Sequence, residues 1–95
     1  ILNHVNEIAP YLKDKLNVLK DKFPDKIKDV RGKGLMMGME LYGPAGDVVS
    51  KLLKKGVILI SAGTNIIRFV PPLVVEKEHI DVMCEKLEEV FSTNE

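Results

Sequence analysis

"VILISAGTNIIRFVPPL", residues 57–73, contains two apolar runs either side of "SAGTN", a pentapeptide rich in turn formers. That arrangement predicts a β-hairpin with strands "VILI" and "IIRFV". Residues 57–60 suit a strand covered on both faces or a buried edge. Pro71 and Pro72 end the second strand, because proline has no N–H to give a ladder. In the middle of that strand Arg68 sits between Ile67 and Phe69. A charge taken out of water costs several kcal/mol unless it is paired. Arg68 must therefore reach solvent, pair with a carboxylate such as Glu40, or receive one from a ligand. The pattern alone does not separate these.

Upstream, "VRGKGLMMGMEL" (30–41) alternates Leu35, Met37, Met39 and Leu41 with Met36, Gly38 and Glu40, which predicts a strand with one buried face. Its methionines read as adaptable core packing rather than a soft-metal site. Gly32, Gly34 and Gly38 mark tight turns or the close approach of another backbone. Val48, Val49, Leu52 and Leu53 predict a short helix, stopped by Lys54, Lys55 and Gly56. Leu2, Val5, Leu12, Leu16, Leu19 and Phe23 recur at helical spacing, giving an amphipathic helix to about Lys22. Pro10 should kink that helix or start it, and Pro24 closes it. Ile80, Met83, Cys84, Leu87, Val90 and Phe91 predict a final helix with Glu76 and Glu78 at its positive end, but with no Ser, Thr, Asp or Asn cap.

The order is α-β-α-β-β-α, an α+β chain (an α/β sandwich). A right-handed crossover through the short helix sets the first two strands parallel. The hairpin partner slots between them, so that neighbours are antiparallel and Arg68 lies on the central strand. The expected fold is a small, mainly antiparallel three-stranded sheet with helices packed on one face. The other face is left for solvent or a second domain.

Ninety-five residues with 45% apolar content suit a single globular domain over 1–95. A chain this short buries only about 60–65% of its unfolded surface and is marginal alone. It opens at Ile1 inside an apolar-periodic pattern, as a piece of a longer protein would. Net charge is zero, yet residues 1–34 hold eight basic and five acidic groups and residues 76–95 hold two and seven. Two solvated helix faces of opposite sign account for that. A nucleic-acid partner is not expected, since there is no basic excess and only five Phe and Tyr. No stretch is long and apolar enough for a membrane span. A single cysteine, Cys84, on an apolar helix face excludes an internal disulfide and fits a cytoplasmic protein.

Chemistry-bearing motifs are few. "GKGLMMG" has neither phosphate-loop spacing nor a following helix. His4 and His79 are far apart in sequence with no ligand set, so no metal site is expected. Ser50, Ser61 and Ser92 lack a nucleophile elbow. No catalytic residue is assigned, and the chain by itself is expected to be inert.

"VRGKGLMMGMEL", "LLKKGVILISAG" and "NIIRFVPPLVVEKEHID", in that order and at those distances, resemble the C-terminal small domain of class III (acetylornithine/ornithine-type) aminotransferases, pyridoxal-phosphate enzymes of fold-type I. Residues 1–22 match the connecting helix that leads from the large domain. The resemblance implies that Arg68 binds a substrate carboxylate, or pairs with a large-domain glutamate while awaiting one. A planar fork of donors suits that task, and a strand-held arginine loses little further freedom on gripping its partner.

It further implies that pyridoxal 5'-phosphate belongs to the full-length enzyme, held by the large domain, with none expected in this chain. The whole protein is expected to be a cytoplasmic homodimer. The similarity of "AGTNIIRFVPPL" points to amino transfer between N-acetylornithine and 2-oxoglutarate, a step of arginine biosynthesis. Ornithine and 4-aminobutyrate aminotransferases are the alternatives. A free-standing α+β ligand-binding module is the non-enzymatic one.

Overall fold

The computed structural model describes residues 2–33, 36–69 and 76–92. In chain order the elements are α1 (Leu2–Lys22), β1 (Ile27–Lys33), β2 (Met36–Leu41), α2 (Ala45–Lys54), β3 (Ile60–Ala62), β4 (Ile66–Phe69) and α3 (Lys77–Ser92). The sheet order is β1-β2-β4-β3, and every neighbouring pair is antiparallel. The hairpin partner does slot between β2 and β3, which leaves those two parallel and makes β4 an inner strand.

The sheet has four strands, not three. The additional one is β1, which pairs Val30 with Met39 and Arg31 with Gly38. Its apolar residues Ile27 and Val30 lie three apart, a spacing that no simple strand alternation produces. A bulge resolves this: Ile27 faces Leu41 while Asp29 faces Glu40, so Lys28 is an extra residue on β1. Both Ile27 and Val30 thereby reach the core.

The core comes from one face of the sheet and three helices. Ile8, Leu12, Leu16 and Leu19 of α1, Leu52 of α2, and Ile80, Cys84, Leu87, Val90 and Phe91 of α3 join Met37, Met39, Leu41, Ile67 and Phe69. The alternation read in β2 holds at Met37, Met39 and Leu41; Leu35, Val70, Pro71 and Pro72 lie outside the described residues, as do the side chains of Leu2 and Val5. Leu53, expected on the buried face of α2, is exposed.

Residues 57–60 also differ from expectation. β3 begins only at Ile60 and extends through Ser61 and Ala62, so the turn shortens to Gly63–Asn65. Val57 and Leu59 pack against the core, whereas Ile58 and Ile60 are exposed. Instead of a strand covered on both faces or a buried edge, there is a short edge strand with Ile60 exposed.

Pro10 lies inside α1 and neither starts nor ends it. Pro10 and Asn6 are both exposed, so the Asn6 carbonyl that Pro10 cannot bond meets water. At the start of α3 the missing cap is supplied in another way. The backbone N–H of Glu76 donates to His79 Nδ1 at 3.0 Å, while the His79 N–H donates to the Glu76 carbonyl at 3.0 Å. The first bond is one half of a capping box, with imidazole in the usual Glu position; the second is made by the Glu76 backbone carbonyl rather than by a capping side chain.

The opposite charges of the two ends of the chain meet across α1 and α3. Lys22 lies 2.5 Å from Glu88, Lys15 lies 3.3 Å from Asp81 and Lys77 lies 3.5 Å from Glu7. The Tyr11 hydroxyl also donates to Asp81. Exposed pairs of this kind contribute about 0–1 kcal/mol each, against about 1.5–3 kcal/mol for each fully buried large aliphatic side chain. The ion pairs therefore set helix register more than they set stability.

Candidate functional site

The helix-free face of the sheet carries the site. On β4, Ile67 and Phe69 turn into the core and Arg68 turns outward. Sheet register sets out two rows on that outer face. One runs Arg31, Gly38, Arg68, Ile60 across β1, β2, β4 and β3; the next runs Asp29, Glu40, Ile66, Ala62. Met36 and Ile60 are exposed beside these charges.

Glu40 is not the partner of Arg68. Arg31 Nη2 lies 3.2 Å from Glu40 Oε1, Lys28 Nζ lies 3.7 Å from Oε2, and Asn65 Nδ2 donates to Oε2 at 3.4 Å. The same Asn65 amide donates to the Leu41 carbonyl at 3.1 Å. The carboxylate is four-fifths shielded, at 18% side-chain exposure, and three donors already converge on it. Arg31 is held a second time, at 3.4 Å, by Asp29. Among the described residues the Arg68 side chain has no ion-pair or hydrogen-bond partner. What the arrangement offers chemically is a guanidinium without a partner among the described residues, carried on an inner strand directly across from Gly38.

Sequence reasoning singled out Arg68 as the candidate, read Gly38 as a mark of a tight turn or of close backbone approach, and did not single out Arg31 or Asn65. Arg31 lies on the bulged strand whose alternation is broken, and Asn65 sat in what read as a plain turn. The signal for Arg31 was its place two residues from Asp29 in a run with β-compatible ends.

The other candidates gather no chemistry. His4 and His79 both meet Glu76, His4 Nε2 at 3.8 Å from Oε1, yet among the described residues no group of His, Cys, Asp and Glu is arranged to hold a metal ion. Cys84 is buried, and desolvation pushes its thiol up to about 11, far from the thiolate a nucleophile needs. An open hollow of about 220 Å³ lies between the start of α2 and the end of α3, with Asp25, Lys26, Asp47 and Lys51 around it. Its mixed charges match no one class of ligand, and Lys26 is already donating to the Phe91 carbonyl. No helix among the described residues is long and apolar enough to cross a membrane.

The family model described as aminotransferase class-III matches residues 1–91. The chain belongs to the class-III aminotransferase family. An acetylornithine aminotransferase of Methanocaldococcus jannaschii is 46% identical over 88 residues, covering 93% of this chain and 22% of that protein. An acetylornithine aminotransferase of Aquifex aeolicus is 41% identical over 92 residues, covering 96% of this chain and 23% of that protein. A lysine aminotransferase from M. tuberculosis, solved in the internal aldimine form, superposes with a TM-score of 0.88 at 30% identity, over 92% of this chain and 20% of that one. This class-III chain thus spans about a fifth of the length of the relatives it matches.

A pyridoxal cofactor needs a lysine out of water to form its imine, a carboxylate for its ring nitrogen and a cradle for its phosphate. Among the described residues of this class-III chain no charged side chain is buried. Lys15, Lys20, Lys22, Lys28, Lys55, Lys77 and Lys86 stand within ion-pair distance of carboxylates at the surface. The described residues do not fit such a cofactor.

Proposed function

We propose that the protein containing this chain is a pyridoxal-phosphate-dependent aminotransferase that moves an amino group between N-acetylornithine and 2-oxoglutarate. In this reading residues 1–95 are its C-terminal small domain, and 1–22 connect it to the large domain. That large domain holds the cofactor, which supplies the electron sink. Arg68 is the group that grips the substrate carboxylate, and the complete enzyme works as a cytoplasmic homodimer.

The observation that carries this reading is the free guanidinium of Arg68 beside a fully engaged Glu40. An arginine with a local partner would have to surrender it before taking a substrate. Arg68 has none to surrender among the described residues, and its strand fixes its direction. A bidentate pair made there orients the rest of the substrate at little further entropic cost. The names carried by the two curated relatives favour acetylornithine. The lysine aminotransferase superposition favours a second substrate class, other diamino acids, on the same scaffold.

Substitution of Arg68 by Ala in the full-length enzyme tests the assignment. Substrate binding should weaken by about 2–5 kcal/mol, the range for truncating one side of a shielded charge pair, while cofactor absorbance is retained. Equal KM values in wild type and Arg68→Ala for both the amino acid and the 2-oxo acid would refute it. Comparing N-acetylornithine with ornithine, lysine and 4-aminobutyrate as amino donors ranks the substrate classes.

A further inference from the structure

Among the described residues, neither packing nor conformation requires glycine at position 38. It lies in an inner strand, where glycine weakens pairing relative to alanine. Its backbone is ordinary strand, and it is not among the described glycines with positive φ, which are Gly32, Gly56 and Gly63. A Cβ built on it would meet the Arg31 carbonyl oxygen and Ile66 Cγ2 at 3.8 Å, ordinary van der Waals contact. Gly32 is the opposite case: its φ is +146° and a Cβ would lie 2.2 Å from the Met36 carbonyl oxygen. Packing and conformation thus demand glycine at 32 and not at 38.

What surrounds Gly38 is chemical. It is the direct cross-strand partner of Arg31 on one side and of Arg68 on the other. With strands about 4.8 Å apart, the two arginine stems stand about 10 Å from each other across a floor of bare backbone. Arg31 is turned to Glu40 and Asp29. The notch therefore opens towards Arg68.

We propose that Gly38 is a specificity-determining position: its lack of a side chain keeps open the notch through which a substrate carboxylate reaches Arg68. This rests on the reading of Arg68 as the carboxylate clamp and deepens it. An added Cβ at 38 meets only the Arg31 carbonyl oxygen and Ile66 Cγ2 among the described residues, so it takes a side chain longer than that of alanine to fill the space between the two arginine stems. Such a side chain either displaces the bound carboxylate or rotates Arg68 out of the bidentate geometry, and small misplacements of that kind weaken binding steeply.

The test uses the full-length holoenzyme with Gly38→Ala, Gly38→Val and Arg68→Ala, reading melting temperature, KM and kcat for N-acetylornithine and 2-oxoglutarate. The expected result is an unchanged or higher melting temperature for Gly38→Ala. KM for at least one substrate should rise in the order Ala then Val, by about tenfold or more for Val, with kcat at saturation changed much less. If Arg68→Ala raises KM while both Gly38 variants leave it alone, the notch is refuted and the clamp stands. If none of the three changes KM, the clamp itself fails and the notch with it. A large loss of stability in Gly38→Ala would also overturn the proposal, since the glycine would then be serving the fold.

Discussion

Arg31 and Glu40 are joined at 3.2 Å across β1 and β2, and with that pair made Arg68 has no partner among the described residues. Two cations of β1 and one turn amide together engage the Glu40 carboxylate. Replacing Glu40 with Gln should cost the isolated chain only about 1–2 kcal/mol in urea unfolding, because Arg31 and Lys28 keep their solvation when unpaired. The loss should shrink between low and high salt. A more stable Gln variant would mean that shielding the carboxylate costs more than its three donors return.

Gly32→Ala and Gly56→Ala separate two kinds of glycine. Both backbones have positive φ, +146° and +88°, so each substitution carries backbone strain of about 1–3 kcal/mol. Only at Gly32 would the new Cβ also collide with the chain, whereas nothing lies within 4 Å of it at Gly56. The Gly32 variant should be the less stable by a wide margin in thermal unfolding; equal melting temperatures would contradict the geometry.

Tyr11, Lys15 and Asp81 make a pH-dependent link between α1 and α3. The Tyr11 hydroxyl bond, with help from Lys15, holds the Asp81 carboxyl below the usual carboxylate range, and the same bond to Asp81 raises the Tyr11 hydroxyl. A depressed carboxyl stabilises the fold above its unfolded pKa of about 3.9 and loses that contribution as pH falls through the folded value. A raised phenol stabilises below about 10 and loses its contribution as pH rises through the folded value. Tyr11→Phe should accordingly be less stable than the wild type between about pH 4 and 10, with the deficit fading at both extremes. A deficit that does not diminish at all as pH falls through the acid range would exclude the link.

Cys84 should resist alkylation in the folded chain. It is only 5% exposed and its thiol is pushed up to about 11 by burial, so at about pH 8 almost no thiolate is presented. Iodoacetamide should modify it at the rate of unfolding, and at least about tenfold faster in urea, as is usual for a thiol released to its free pKa of about 8.5. Rapid labelling under native conditions would place the residue outside the core.

Much of the sheet was legible because β2 and β4 obey simple alternation: Met37, Met39 and Leu41, then Ile67 and Phe69, turn inward, and Arg68 is left outside by parity alone. β1 was not legible, because its bulge shifts Ile27 and Val30 off the period that identifies a strand. The cap of α3 was missed for a related reason. His79 does a job usually read from Glu or Gln, and its suitability depends on ring orientation rather than residue class.

The order of residues by itself determined which segments coil and which extend, that Arg68 interrupts an apolar strand, and that its motifs are those of the class-III aminotransferases. Periodicity and side-chain chemistry are local properties, and they survive without a fold. Which carboxylate belongs to which cation was decided only in three dimensions. Glu40 lies nine residues from Arg31 and twenty-eight from Arg68 in the chain, yet it neighbours both strands in space. Both arginines stand opposite Gly38 in one row, and it is the Arg31 side chain of β1, not the Arg68 side chain of β4, that closes on the carboxylate.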